Sequence, residues 1–333
     1  MGEGRNWWFF ASSDYHNRGS FGADQRESNQ DFYPGEYQKD YVMARKGTNN
    51  LSAEAIIDGL RSGNSFAGSG DLIDRLAFVA CAANPALPRA AFKALVEKAA
   101  ANAALKNGEV RMNGCATMGE KLVVAPGADV LVAIAVRDPQ GKNFSPYSFP
   151  NPSLKQIGIT QPLDAPVLDH IDVIGGNVTG FVSPTDLAKY AGQEGTAAAS
   201  NTSAGIKKVF NSTNWTATTD GLRVMSYRIP AVKVSQYVRL RGTNLPASTP
   251  FETDANGNPL NDYVLLPYFD PSKTLPEQPG KVVCSDAACP AHMRTIDGVK
   301  YSSYDVSAWA DLWFYSNPVY IEVTNSFKVV GAK

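Results

Sequence analysis

Short apolar runs separated by turn residues characterise the chain from about residue 73 onward. Tyr237 to Arg241 alternates apolar and polar positions, whereas Val130 to Val136 is continuously apolar. β-Branched and aromatic residues recur in these runs, and Gly, Pro, Asn or Asp lies between them, which predicts strands. The predicted strands are 76–82, 121–124, 130–136, 170–174, 222–229, 237–241, 312–315 and 319–323. This order is typical of an antiparallel β-sandwich, which we predict for residues 73–333.

Two segments carry helical patterns instead. Ser52 is the predicted N-cap of the first helix, which Gly63 ends and which has an apolar stripe of Ile56, Ile57 and Leu60. An Ala-rich helix is predicted as an insertion near 88–106, with an apolar face of Phe92, Leu95 and Val96. The strand–helix–strand order of residues 1–72 predicts a partial α/β segment. The predicted fold class is therefore α+β and β-rich, with this segment followed by the sandwich.

Composition excludes some classes of partner. The chain of 333 residues is 44% hydrophobic and 19% charged and has a formal net charge of −1. Such a balance provides no electrostatic attraction to nucleic acid or an anionic membrane. No apolar run reaches the ~18–20 residues of a membrane span, and the chain contains no signal peptide. The cellular location of the protein is left open, and a periplasmic or secreted parent protein is one option.

Four cysteines give two separate expectations. Cys284 and Cys289 are close together in a predicted loop with His292 nearby, so a local disulfide, free thiols and a zinc site are all open. Cys81 and Cys115 lie in strand-like segments and are expected to be small buried hydrophobic residues.

The densest candidate chemistry lies near the start, in the segment from Phe10 to Gly19. Asp14 and His16 are two residues apart, so on an extended chain both side chains point the same way. A carboxylate beside an imidazole suits a divalent metal. The alternative is a hydrogen-bonded pair that orders a turn. A firm metal site needs three or more protein ligands, and Glu3 is the one carboxylate upstream.

Other candidates favour structural interpretations. Asp169 and His170 are expected on opposite faces of a strand. Residues 254–258 have oxygen-bearing side chains at alternate positions, which suits calcium, but a polar turn is the commoner use of such a loop. The tryptophans are expected to pack in the core or at a domain interface, with a carbohydrate platform as the alternative; they are Trp7, Trp8, Trp309 and Trp313.

Several segments together resemble the PHP (polymerase and histidinol phosphatase) superfamily of metal-dependent hydrolases. The first is Ser12-Ser13-Asp14-Tyr15-His16, followed by the helix end at 58–63. The likeness continues through 66–70, 118–120, 136–139, 173–176, 223–228, 239–244 and 317–320. These segments are similar to the C-terminal half of large family members, which carry a β-sandwich after the barrel.

The resemblance implies a function. PHP enzymes bind two or three ions such as Mn, Fe or Zn in a distorted barrel and hydrolyse phosphoesters. Asp14 and His16 correspond to the last two ligands of that set, and Arg18 is a candidate donor to an anionic substrate. The family's opening His-x-His and its middle Glu and His ligands have no counterpart here.

Residues 1–72 are therefore expected to supply only the C-terminal part of a metal barrel. A second chain or a missing N-terminal segment is expected to complete it. A bound divalent metal, Mn, Fe or Zn, is expected only if the site is completed. Otherwise no cofactor is expected. The rival hypothesis is a non-catalytic β-sandwich module used for binding or assembly.

Overall fold

The computed structural model describes most of the chain. The described residues are 1–13, 32–45, 51–107, 110, 112–143, 147–150, 160, 162–181, 201–249, 252–260, 282–283, 295–296, 299–302, 309 and 311–325.

Strands outnumber helices in this part of the chain. The strands are β1 Gln38–Val42, β2 Ser65–Ser69, β3 Arg75–Ala82, β4 Cys115–Thr117, β5 Lys121–Val124, β6 Ala128–Arg137, β7 Lys142–Asn143, β8 Leu163–Asp164, β9 His170–Asn177, β10 Gly205–Asn211, β11 Thr216–Ala217, β12 Leu222–Val232, β13 Gln236–Thr243, β14 Val282–Val283, β15 Thr295–Ile296, β16 Val299–Ser302, β17 Trp313–Ser316 and β18 Val319–Val323. The helices are α1 Ala53–Ser62 and α2 Arg89–Asn102, and a π-helical turn, Ala103–Asn107, extends α2.

The largest sheet, here called the main sheet, has eight strands and is centred on β13. β13 pairs along its whole length with β9, which in turn pairs with β10. On its other side β13 pairs first with β18 and then with β17, so the sheet forks at this edge. One branch continues from β17 to β2 and β1, and the other from β18 to β5. All pairings are antiparallel except that of β18 with β5.

The second sheet has five strands in the order β11-β12-β6-β3-β4. Alternate residues of β6 face two different apolar clusters. Val130, Val132 and Ile134 pack into a core shared with the main sheet, and Ala133 and Ala135 pack against α2. The described chain therefore has three layers, which are the main sheet, the second sheet and α2.

The first helix begins and ends where the sequence predicts. The Ser52 side chain accepts a hydrogen bond from the backbone N–H of Ala55 at 3.1 Å, and Gly63 follows in the left-handed conformation with a φ of 71°. The apolar stripe of α1 is not buried in the core, however. Ile56 is 41% exposed and Ile57 44% exposed.

The barrel-like part of the predicted fold is not shown. β1 and β2 form an antiparallel pair, and β2 pairs with β17, so strands from both sides of residue 72 share the main sheet. The division of the chain at residue 72 stays a prediction. The expected β-rich, antiparallel character is confirmed.

The expected apolar face of α2 is partly wrong. Phe92 and Val96 are buried, but Leu95 is 46% exposed. The buried stripe runs through positions four apart, Phe92, Val96 and Ala100, so Leu95 lies to one side of it.

Cys81 and Cys115 form a disulfide rather than two separate buried thiols. The two residues lie directly opposite each other in the antiparallel pair of β3 and β4, and their Cα atoms are 4.0 Å apart. The two cysteines are 34 residues apart in the sequence, and the loop that the bond closes contains α2. Within the described residues no helix combines the length and apolar character that crossing a membrane requires.

Candidate functional site

The residues predicted as metal ligands fall outside the described part of the chain. Asp14, His16 and Arg18 lie there, and so do Cys284, Cys289 and His292. Among the described residues, no three His, Cys, Asp or Glu side chains converge so as to hold a metal ion.

The N-terminal segment, residues 1–13, leads directly into Asp14, and hydrogen bonds tie it to the main sheet and α1. The Tyr320 hydroxyl donates to the carbonyl of Arg5 at 2.7 Å. The backbone N–H of Phe9 donates to Oδ1 of Asn317 at 3.3 Å. Further on, the N–H of Ala11 donates to Oδ1 of Asp40 at 2.9 Å. These contacts attach the segment to the outer face of the main sheet, which is the face turned away from the shared core.

Asn317 can hold this segment because its own side chain is fixed. It is completely buried in the two-residue connection between β17 and β18. Its Nδ2 donates to Oγ of Ser65 at 2.8 Å, and its backbone N–H donates to the Ser65 carbonyl at 3.2 Å. The Oδ1 atom therefore remains available for Phe9.

Trp8 attaches the same segment to the end of α1. Its indole N–H donates to the carbonyl of Arg61 at 2.9 Å. The ring lies against Gly63, where an added Cβ would come within 2.4 Å of Trp8 Cε2. Glycine at this position thus serves both the left-handed helix end and the close approach of the ring. Trp7, in contrast, is 75% exposed and does not pack in the core, so for this residue the domain-interface alternative stays a prediction.

A buried ion pair lies on the outer face between β9 and β13. Asp172 and Arg241 are cross-strand neighbours, and the Arg241 Nε and Nη2 atoms donate to Asp172 Oδ2 at 3.0 and 2.6 Å. Their side chains are 1% and 7% exposed. The Oδ1 atom of Asp172 has no hydrogen-bond partner among the described residues, and His170 Nε2 lies 3.9 Å from it.

His170 is oriented by its chain neighbour. Its Nδ1 atom lies 2.7 Å from Oδ2 of Asp169. The prediction that these side chains lie on opposite faces is wrong, because Asp169 precedes β9 and strand alternation does not extend to it. The structural interpretation of His170 agrees with its burial.

The loop at residues 254–258 folds as a polar turn. Oδ1 of Asp254 accepts hydrogen bonds from the backbone N–H groups of Asn256 and Asn258, both at 2.8 Å, and its Oδ2 accepts one from Asn258 Nδ2 at 2.9 Å. Asn258 Oδ1 in turn accepts from Arg241 at 3.1 Å. These bonds engage both Asp254 oxygens within the loop, which favours the polar-turn interpretation over calcium binding.

A second buried carboxylate, Asp138, lies just beyond the end of β6. Burial raises its pKa to about 6, although Arg223, 3.5 Å away, and the backbone N–H of Leu168 oppose the shift. Its Oδ1 atom has no hydrogen-bond partner in the described structure. The neighbouring Arg137 is already paired with Asp74. Sequence reasoning missed both Asp138 and the Asp172–Arg241 pair, although the alternation of Tyr237 to Arg241 indicated arginines on one face of β13.

Comparison of the chain with protein-family models, with curated proteins and with solved structures finds no match.

Proposed function

We propose that the chain is part of a PHP-like metal-dependent phosphoester hydrolase, in which the two-sheet body supports a segment carrying the metal ligands Asp14 and His16. The observation that carries this proposal is the anchoring of residues 1–13 to the main sheet and α1. A metal ligand must be held within a narrow range of positions, and a segment hydrogen-bonded at several points meets that need.

Covalent geometry limits where Asp14 can lie. Ala11 is bonded to Asp40, and three further residues of chain extend at most about 11 Å. Asp40 is therefore the described carboxylate that we propose as an additional ligand. Its Oδ1 accepts from Ala11, and partial desolvation raises the pKa of this carboxyl group above its ordinary value.

Exposed apolar side chains beside the anchored segment support the same proposal. Trp7 and Phe10 on the segment are 75% and 43% exposed, and Ile56 and Ile57 on the neighbouring α1 are also exposed. Exposed apolar groups that form a contiguous patch mark surfaces that other elements cover, and we propose that these residues form one. In a metal barrel, further strands and helices would cover them and would bring the ligands that Asp14 and His16 do not supply.

A bound divalent metal would supply an activated water and would offset the phosphate charge. The proposed roles of this chain's residues are to hold that ion, through Asp14 and His16, and to bind phosphate oxygens through Arg18. Mn, Fe and Zn all suit a mixed carboxylate and imidazole ligand set.

A second candidate is a non-catalytic binding or assembly module. The observation that favours it is that β2 pairs on both sides within the main sheet, with β17 and with the edge strand β1, so β2 needs no barrel strand to complete its pairing. In that case the anchored segment only covers the outer face of the sheet.

Titration with Mn²⁺, followed by the loss of the free-ion signal in electron paramagnetic resonance, separates the two candidates. The hydrolase proposal expects binding by the wild-type chain and about tenfold or greater weakening in Asp14→Asn and in His16→Gln. Asp220→Asn, which changes an exposed aspartate, is the matched control and is expected to bind as wild type does. Absence of binding, or binding unchanged in both ligand variants, would favour the module.

Hydrolysis of bis(4-nitrophenyl) phosphate by the same Mn²⁺-loaded samples tests completeness. We expect little or no turnover by this chain alone, because Asp14 and His16 provide only two ligands. Turnover at enzymatic rates that His16→Gln abolishes would show that the chain holds a complete site, and would contradict the expected need for a second chain or segment.

A further inference from the structure

Arg239 differs from the other arginines that the structure buries or half-buries. Arg137, Arg223 and Arg241 each face a carboxylate, at Asp74, Asp138 and Asp172 respectively. Arg239 is half-buried on β13, yet its guanidinium makes no hydrogen bond or ion pair with any described residue. Taking a positive charge out of water without a partner is costly, so the position calls for an anion.

The surroundings of Arg239 are aromatic and positively charged. Tyr237 and Arg241 lie on the same face of β13, two residues away on either side, and Ile174 is its cross-strand neighbour on β9. Asp172 makes no hydrogen bond to Arg239 and instead accepts two from Arg241 through Oδ2, although its charge acts on Arg239 from a distance. Burial, and then the charge of Arg241, lower the pKa of Arg239, and the smaller effects of Tyr237, Tyr315 and Asp172 oppose them.

The N-terminal segment crosses the sheet at this position. Tyr320, opposite Tyr237, bonds to the carbonyl of Arg5, and Tyr315, opposite Arg241, packs edge-on against Phe9 with ring centroids 6.3 Å apart. Arg239 lies between these two contacts along β13, at the point where the main sheet forks.

The crossing segment offers Arg239 no carboxylate. Its acidic residue, Glu3, is bonded to Arg5 at 2.6 Å, and the Arg5 guanidinium lies over the Phe181 ring. The result is a half-buried position in which the guanidinium forms no hydrogen bond or ion pair within the described residues and has phenol groups nearby.

We propose that Arg239 binds a phosphate-type oxyanion, either free inorganic phosphate or the phosphoryl group of a small ester, beneath the N-terminal segment. A planar guanidinium matches the paired oxygens of phosphate, and the Tyr237 hydroxyl can add a further donor. The aromatic walls favour an ester whose organic part can stack on a ring. The site consists of main-sheet residues and does not depend on metal binding at Asp14 and His16.

Calorimetric titration with inorganic phosphate, in EDTA to remove metals, tests this site. The wild-type chain is expected to bind, Arg239→Gln to bind about tenfold more weakly or not at all, and Arg239→Lys to bind with intermediate affinity. Arg61→Gln removes the same charge from an exposed position on α1 and is expected to bind as wild type does. Phenyl phosphate that binds more tightly than inorganic phosphate would identify an ester as the ligand, whereas equal affinity would identify the free anion.

A thermal melt without phosphate adds a second readout. Because an unpaired, half-buried charge is unfavourable, Arg239→Gln is expected to melt no lower than wild type under these conditions. Phosphate should raise the wild-type melting temperature and leave that of Arg239→Gln unchanged. Absence of wild-type binding, equal binding by Arg239→Gln, or a variant that fails to fold would overturn the proposal.

Discussion

Reduction of the disulfide between Cys81 and Cys115 is expected to destabilise the second sheet strongly. The bond joins the directly opposed residues of β3 and β4 and closes a loop that contains α2. Reduction removes no heavy atom from either side chain, so it creates no cavity. The main expected effect is the greater freedom of the unfolded chain.

The size of this effect follows from the loop length. For a sequence separation of 34 residues, the chain-entropy relation gives about 4 kcal/mol at 25 °C. Folded proteins are commonly stable by only ~5–15 kcal/mol, so such a loss is readily measurable. Disulfides persist in oxidising compartments, so this bond favours a periplasmic or secreted parent among the locations left open.

Urea unfolding of oxidised and reduced protein measures the difference. A Cys284→Ala/Cys289→Ala background keeps the other two cysteines out of the comparison. In that background, thiol titration under denaturing conditions should find no free thiol before reduction and two after it. Two free thiols without reduction would refute the disulfide. A stability difference below about 1 kcal/mol would refute the loop-entropy estimate.

Three further predictions concern the described residues. The pKa of Asp138 is raised from 3.8 to about 6, so the fold should lose up to about 3 kcal/mol as pH rises from about 4 through 6. Asp138→Asn should remove this loss of stability. Urea unfolding at pH 5 and at pH 8 would contradict the prediction if the free energy of unfolding of the variant fell between the two pH values as much as that of wild type. Asp172→Asn should cost about 3–5 kcal/mol because it leaves Arg241 buried without its anion, and a double-mutant cycle with Arg241→Met should recover much of this cost. Gly63→Ala should cost about 1 kcal/mol or more and displace the Trp8 ring, and an unchanged tryptophan emission spectrum with unchanged stability would be evidence against that contact.

Strand positions were predictable where apolar patterning reflects burial. The predicted segments at Lys121–Val124 and Val319–Val323 coincide with β5 and β18. The continuous apolar run in β6 has a physical reason, since one face of this strand meets the main sheet and the other meets α2. The exposed stripe of α1 shows the limit of such patterns, because periodicity identifies an apolar face without saying whether anything covers it.

Contacts between distant segments were not predictable. The disulfide depends on the register of β3 against β4, across an intervening helix, and no local pattern contains that register. The Asp172–Arg241 pair likewise depends on how β9 aligns with β13. Asp14, His16 and Arg18 stay predictions, supported by the segment that leads to them.

The position of a bound ion tests the central claim most directly. Crystals grown with Mn²⁺ and measured at the manganese absorption edge would locate it by anomalous scattering. The proposed function predicts a peak within about 2–2.5 Å of a carboxylate oxygen of Asp14 and an imidazole nitrogen of His16, with Asp40 as a candidate further ligand. An ordered Asp14–His16 segment without a peak, or manganese bound only elsewhere, would contradict it.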